Sequence, residues 1–178
     1  MTAPTLTFFC ELDSGPLESL FADGSVIRDL QTLNASIGLG LVDLSPERAA
    51  VVRRLNEAGI PVIAWQLLPK AEGYWYNITN ATQAAARYSA FKKWTAEHDL
   101  HWDGIGIDIE PDITIMEQAQ SGTVWPMISS MVQRLVNSGV LERARDQYAA
   151  LVDQMRVDGY RVDSYEFCLL YTSPSPRD

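Results

Sequence analysis

Short apolar runs alternate with longer amphipathic stretches along this chain, and that alternation predicts successive βα units around a parallel sheet. Strands are expected near Thr5 to Leu12, Ser36 to Val42, Pro61 to Leu67, Gly104 to Glu110 and Arg161 to Phe167. The clearest helix opens at Ser45-Pro46-Glu47, where Ser caps, Pro suits the first turn and the acid complements the helix dipole. It runs through Leu55 and stops at Gly59. A second helix is expected from about Ala81 to His98, with Ala84, Tyr88, Phe91 and Trp94 near helical spacing on one side. A helical region from Trp125 to Met155 follows, interrupted near Asn137-Ser138-Gly139. No linker or internal repeat divides the visible part, so it reads as one domain.

The stretch Asp103-Gly-Ile-Gly-Ile-Asp-Ile-Glu-Pro-Asp112 carries the most chemistry. Strand side chains alternate between faces. Ile105, Ile107 and Ile109 therefore share an apolar face, while Gly104, Gly106, Asp108 and Glu110 share the other. A purely structural strand gains nothing from two acids on one face, because burying unpaired charge is costly. Burial and a neighbouring carboxylate together raise a carboxyl pKa, which suits one of the pair to general acid work near neutral pH. Asp108 and Glu110 are accordingly the candidate catalytic residues. The bland reading is that both pair with basic side chains inside the fold.

Strands alternating with helices fit either a doubly wound sheet or the first half of a (β/α)8 TIM barrel. The polar residues Glu11, Asp13, Asp43, Asp108 and Glu110 recur at the C-terminal ends of different expected strands, where barrels place their active sites. No Gly-x-Gly-x-x-Gly or phosphate-binding loop follows the first strand, as a nucleotide-binding sheet would ordinarily require. The expected fold is thus α/β, a barrel truncated to about its first half, with four to five parallel strands.

Asp103-Gly-Ile-Gly-Ile-Asp-Ile-Glu110 resembles the Asp-Gly-x-Asp-x-Asp-x-Glu signature of family 18 glycoside hydrolases, the chitinase-like barrels. That family carries the motif on its fourth strand, the position it holds here. The resemblance implies that Glu110 protonates the glycosidic oxygen and that Asp108 orients the substrate's acetamido group. Gly106 stands where the signature has its middle Asp, Ile109 where an aromatic is often found, and Val62 to Pro69 lacks the family's Ser-x-Gly-Gly. Glu110-Pro111 also resembles the Asn-Glu-Pro that ends the fourth strand in another large glycosidase clan, with Ile109 in place of the Asn. Both comparisons point to Glu110.

The segment Lys70-Ala-Glu-Gly-Tyr74-Trp75-Tyr76-Asn77 places three consecutive aromatics after the third strand. Flat rings there suit a sugar, so Tyr74, Trp75 and Tyr76, with Glu11, are the candidate substrate-binding residues. The alternative is that the rings seal the loop against the following helix. Carbohydrate or another small molecule is the expected partner, with a second catalytic group drawn from Glu11, Glu166 or a later strand. No cofactor is called for. A second reading, from a different reaction class, has Glu11, Asp108 and Glu110 ligate Mg2+ or Mn2+ in a phosphodiesterase or sugar isomerase. A third is a sugar-binding barrel without chemistry. His98 and His101 lack a further ligand at metal spacing, so no zinc site is expected.

Composition narrows the partners. At 47% hydrophobic and 21% charged the chain is globular, and its formal charge of -9 argues against nucleic acid and anionic membranes. No run reaches the ~18 apolar residues of a membrane span, and Met-Thr-Ala-Pro leads into Leu6 without the basic region of a signal peptide. A cytoplasmic protein is expected. The final stretch, Cys168 to Asp178, resembles a sequencing-library adapter translated in frame, so residues 1–167 are expected to be the native barrel part and 168–178 a non-native tail.

Overall fold

Five parallel strands stand in sequential order, β1-β2-β3-β4-β5, with no neighbour out of turn. The computed structural model describes residues 6–109 and 139–165. The strands are β1 (Thr7–Cys10), β2 (Ser36–Leu41), β3 (Val62–Gln66), β4 (Gly104–Asp108) and β5 (Val162–Tyr165). Between them lie α1 (Ser14–Phe21), α2 (Ser25–Thr32), α3 (Pro46–Glu57), α4 (Ala81–His98) and α5 (Val140–Val157). Consecutive right-handed crossovers in one direction put every connecting helix on the same side of a sheet. The core agrees: Leu39, Leu41, Ala64, Ile105 and Ile107 pack with Leu17, Leu55, Phe91 and Met155 from the helices in one apolar cluster.

Each expected strand is present, and α3 and α4 begin and end close to where the capping signals of the one and the apolar spacing of the other put them. Ser45 accepts a hydrogen bond from the Arg48 N–H at 3.2 Å, and Gly59 follows α3 at φ 71°. The helices α1 and α2 are additions to the sequence-based expectation. Each has only eight residues, and Gly24 at φ 69° separates them, so neither fills the window of roughly 11–18 residues over which helical spacing is read. Of the helical region expected over Trp125 to Met155, only α5 falls within the described residues. The tail from Cys168 lies outside them, as do Glu110 and Glu166.

The face away from the helices decides the shape of the sheet. Backbone pairing puts Phe9 level with Gly38, Ile63 and Gly104, and one residue before Val162 on β5, which is Arg161. Yet the rings that meet on this face are Phe9, Trp65 and Tyr165. Their centroids are 5.7 Å apart for Phe9 and Trp65, 5.1 Å for Phe9 and Tyr165, and 6.4 Å for Trp65 and Tyr165. Trp65 is two residues beyond the level position on β3, and Tyr165 four beyond it on β5 (65 − 63 and 165 − 161). The side-chain layer therefore climbs one residue per strand. Four strand steps of about 4.8 Å would separate β1 and β5 by about 19 Å on a flat sheet, more than two ring-bearing side chains can bridge. The sheet is curled, with this aromatic layer in its hollow.

Glycines on the even strands make the layer possible. A Cβ at Gly38 would lie 2.8 Å from the Phe9 ring, and one at Gly106 would collide with the ring of Tyr165. Gly106→Ala is expected to displace Tyr165 and cost about 1–3 kcal/mol of stability, the usual range for overpacking. Equilibrium denaturation checks the loss, which should largely vanish in a Tyr165→Leu background, and Trp65 fluorescence reports the disturbed layer. Equal penalties in both backgrounds would mean that Gly106 is not there to admit the ring.

Candidate active site

The C-terminal edges of the strands carry the polar side chains. Asp108 closes β4 on the hollow face, 7% exposed, beside its β5 register partner Tyr165. Its backbone carbonyl accepts a hydrogen bond from the Tyr76 N–H at 3.1 Å, and Tyr76 forms an isolated parallel bridge with Ile109. The aromatic segment thus adds a short pairing beyond β3 that holds the end of β4 in place. The period-two assignment of the fourth strand holds over the described part: Ile105 and Ile107 are in the helix-side core, while Gly106 and Asp108 face the hollow. Glu110 lies outside the described residues.

Glu11 follows β1 at the same edge. Its stem passes over β2, where a Cβ on Gly40 would sit 3.3 Å from Glu11 Cγ, and its Oε1 accepts a hydrogen bond from the Tyr74 hydroxyl. Tyr74 reaches that position from a left-handed backbone, φ 61°, directly after Gly73 at φ 100°. Burial, then the hydrogen bond and charge of Glu11, push the Tyr74 phenol well above its ordinary value, so it remains a donor. Lys70 Nζ lies 5.9 Å from the Tyr74 ring centroid. Glu11, Asp13, Asp43, Lys70 and Tyr74 are among the residues lining a cavity of about 560 Å³ at this edge.

The three consecutive aromatics have three different environments. Tyr74 places its hydroxyl at the edge, Trp75 is half-buried against the Tyr74 ring, and Tyr76 is fully enclosed. Tyr76 stacks on Tyr148 of α5 at 5.8 Å, so its ring serves packing and offers no face to a substrate. The expectation of a three-ring platform is corrected for Tyr76. Tyr148 also fixes the loop that follows: its hydroxyl donates to the Asn77 carbonyl at 2.9 Å and lies 2.9 Å from Asn80 Oδ1. Asn77 and Asn80, both in glycosylation sequons, are each only 3% exposed and spend their amides on this network.

Two residues important to the site carry no local sequence signal of that role. Tyr165 forms its wall beside Asp108, and an aromatic recurring at inward positions of the first, third and fifth strands was the available clue. Arg48, with none of its surface exposed, sits beneath the edge. Its guanidinium donates to the Gly40 carbonyl at 3.0 Å, the Leu12 carbonyl at 2.8 Å and both Asp43 oxygens at 3.2 and 3.1 Å. One side chain therefore ties the segments after β1 and β2 together. An amphipathic-helix pattern gives no hint of it, since Arg48 occupies the first turn of α3, where a solvated charge is the default.

Comparison with family models, with curated proteins and with solved structures returns no match to this chain. The likeness to family 18 glycoside hydrolases consequently rests on the motif around β4 alone. Among the described residues, no group of three or more His, Cys, Asp or Glu side chains is gathered so as to hold a metal ion, and no helix is long and apolar enough to cross a membrane.

The Arg48 contacts predict an acid-sensitive edge. Burial acts to raise the Asp43 pKa, but the bonds from Arg48 and Ser45 outweigh it and hold the carboxyl well below the usual carboxylate range. A depressed folded-state pKa contributes stability that is present above the unfolded value, about 3.9, and drains away as pH falls below it. Asp43→Asn should therefore lower the melting temperature at pH 7 and flatten its decline between about pH 5 and pH 2. Thermal melts across that range check the slope. Arg48→Ala, which strands two buried carbonyls, should cost about 2–3 kcal/mol at neutral pH.

Proposed function

We propose that the described sheet is the first five strands of a (β/α)8 barrel, and that its C-terminal mouth cleaves a carbohydrate by general acid catalysis. The observation that carries the reading is the climb of one residue per strand in the Phe9, Trp65 and Tyr165 layer. Continued around eight strands it amounts to a shear of about eight residues, the value of this barrel, whose interior layers are likewise built by alternate strands. In that geometry the strand ends carrying Glu11, Asp108 and Glu110 face one another around a common mouth. Fold alone does not choose a chemistry, so the assignment of the reaction rests on the acids of the fourth strand and on the motif they form.

In this reading Glu110 donates a proton to the glycosidic oxygen as the bond to the leaving group breaks. Asp108, one layer deeper and anchored through its own backbone, keeps Glu110 protonated by its charge and orients the sugar. Trp75 and Tyr74 border the bound ring. A cytoplasmic location accompanies the proposal, supported by the burial of the Asn77 and Asn80 sequons and by Cys10, a free buried thiol.

Glu110→Gln keeps size and hydrogen bonding but removes the transferable proton. Turnover of an unactivated glycoside by the full-length protein should fall by about 10²–10⁴ while the fold survives, and a dinitrophenyl glycoside, whose leaving group needs no proton, should be spared. Chelator sensitivity, with recovery of Glu110→Gln at high Mg2+ or Mn2+, would instead show that the acid ligates a metal. Undiminished turnover in the variant under both conditions would remove the acid role altogether.

A further inference from the structure

We infer that Gln66, Tyr76 and Arg87 form a binding site for internal water beneath the C-terminal edge of the sheet. Neither the site nor its ligand depends on the reaction proposed above. Among the described residues, both polar atoms of the Gln66 amide, the Tyr76 hydroxyl and Arg87 Nε are buried without a hydrogen-bond partner. Gln66 and Tyr76 have none of their surface exposed. Polar groups taken out of water and left unpaired are costly, so four such atoms gathered in one place call for a ligand.

Strand register gathers them. Gln66 ends β3 level with Leu41 on β2 and Ile107 on β4, and, one residue after Trp65 in the hollow, it points with them to the helix side. Tyr76 pairs with Ile109, two residues beyond Ile107, so it continues the line of β3 two places above Gln66 and on the same face. Two strand residues span about 7 Å, which makes the two side chains direct neighbours. Arg87 comes in from α4 at the level of Gln66, where its Nη2 donates to the Leu41 carbonyl at 2.6 Å. It joins no ion pair among the described residues. Burial pushes the Tyr76 phenol well above its ordinary value, so the hydroxyl keeps its proton, while the Arg87 charge acts on it in the opposite direction. Hydroxyl and guanidinium are thus near each other and unbonded.

The mixture of free groups selects the ligand. Arg87 Nε–H only donates, the Gln66 amide has one donating and one accepting end, and the Tyr76 hydroxyl does either. An anion only accepts, so it would face the Gln66 carbonyl oxygen without a proton between them, and a cation is repelled by Arg87. Water both accepts and donates, and an internal water needs two to four polar partners. One molecule can accept from Arg87 Nε–H, exchange a bond with the Tyr76 hydroxyl and meet one end of the Gln66 amide; a second can serve the amide's other end. Water held there ties the end of β3, the segment after it and α4 together. It does so where the backbone of that segment is joined to β4 by a single bridge, that of Tyr76 with Ile109.

The test compares Gln66→Met and Tyr76→Phe, alone and together, in the whole chain. Both changes keep the shape of the side chain, and Phe keeps the stack on Tyr148, so the fold survives. If water bridges the groups, each change strands the partners that remain, and each single variant should melt about 2–4 °C below wild type. The double variant should lose clearly less than the two single losses combined, because the second change removes a bond already gone. In wild-type protein, NMR cross-relaxation between water and the Gln66 side-chain amide should report a long-lived contact. An unchanged or raised melting temperature in the single variants overturns the inference, since replacing an unpaired buried polar atom by an apolar one is neutral or stabilising. So do losses that add in full, or the lack of a long-lived water contact at Gln66. A wild-type melting temperature raised by chloride at constant ionic strength, and not in Gln66→Met, would show an anion in place of water and overturn it as well.

Discussion

The curl of the parallel sheet depends on a size rule between neighbouring strands: large rings on β1, β3 and β5, and no side chain at the facing positions of β2 and β4. Phe9, Trp65 and Tyr165 can meet only because Gly38 and Gly106 offer bare backbone beneath them. Alternation of bulky and empty positions is how an interior layer fills a tapering space without overpacking. From that one constraint follow the one-residue climb per strand, the convergence of strand ends, and the placement of Asp108 just above the aromatic layer. A sheet with ordinary side chains at those glycines would have to flatten, and Glu11 and Asp108 would then point in unrelated directions.

Above the layer, the edge is held by a few directional contacts. Arg48 satisfies two backbone carbonyls and one carboxylate from beneath, so the segments after β1 and β2 are fixed relative to each other without a metal or disulfide among the described residues. Such a buried guanidinium adds little net stability compared with an apolar replacement of the same shape, but removing it leaves polar groups stranded. Its value lies in geometry. Tyr74 and Glu11 stand on the ground that Arg48 and the Leu68 to Tyr74 backbone bond hold in place.

Helix packing supports the sheet from outside at both ends: Tyr148 on α5 stacks on Tyr76 and bonds the Asn77 backbone beside the C-terminal edge, while at the opposite end Asp158 after α5 accepts from the Tyr88 hydroxyl at 2.7 Å and pairs with Lys92. The loop after β3 is therefore pinned between the edge strand pairing of Tyr76 and a helix more than sixty residues later in the chain. The C-terminal edge of the sheet is thus tied to both layers.

The sequence by itself determined the βα alternation, the ends of α3 and α4, and which residues of the fourth strand share a face, because each follows from local rules of period and capping. Asp108 could be assigned to the hollow from its spacing to Gly104 and Gly106 alone. The roles of Tyr74, Trp75 and Tyr76 were not legible, since a left-handed residue among them sends three adjacent rings to the sheet edge, a half-buried boundary and the core. Nor was Tyr165, whose neighbour Phe9 is 156 residues away (165 − 9). Short helices such as α1 and α2 carry too few turns to register. Tertiary structure decided the curl, the layer and the Glu11 to Tyr74 bond, because each depends on register between strands distant in sequence, and no local period encodes register.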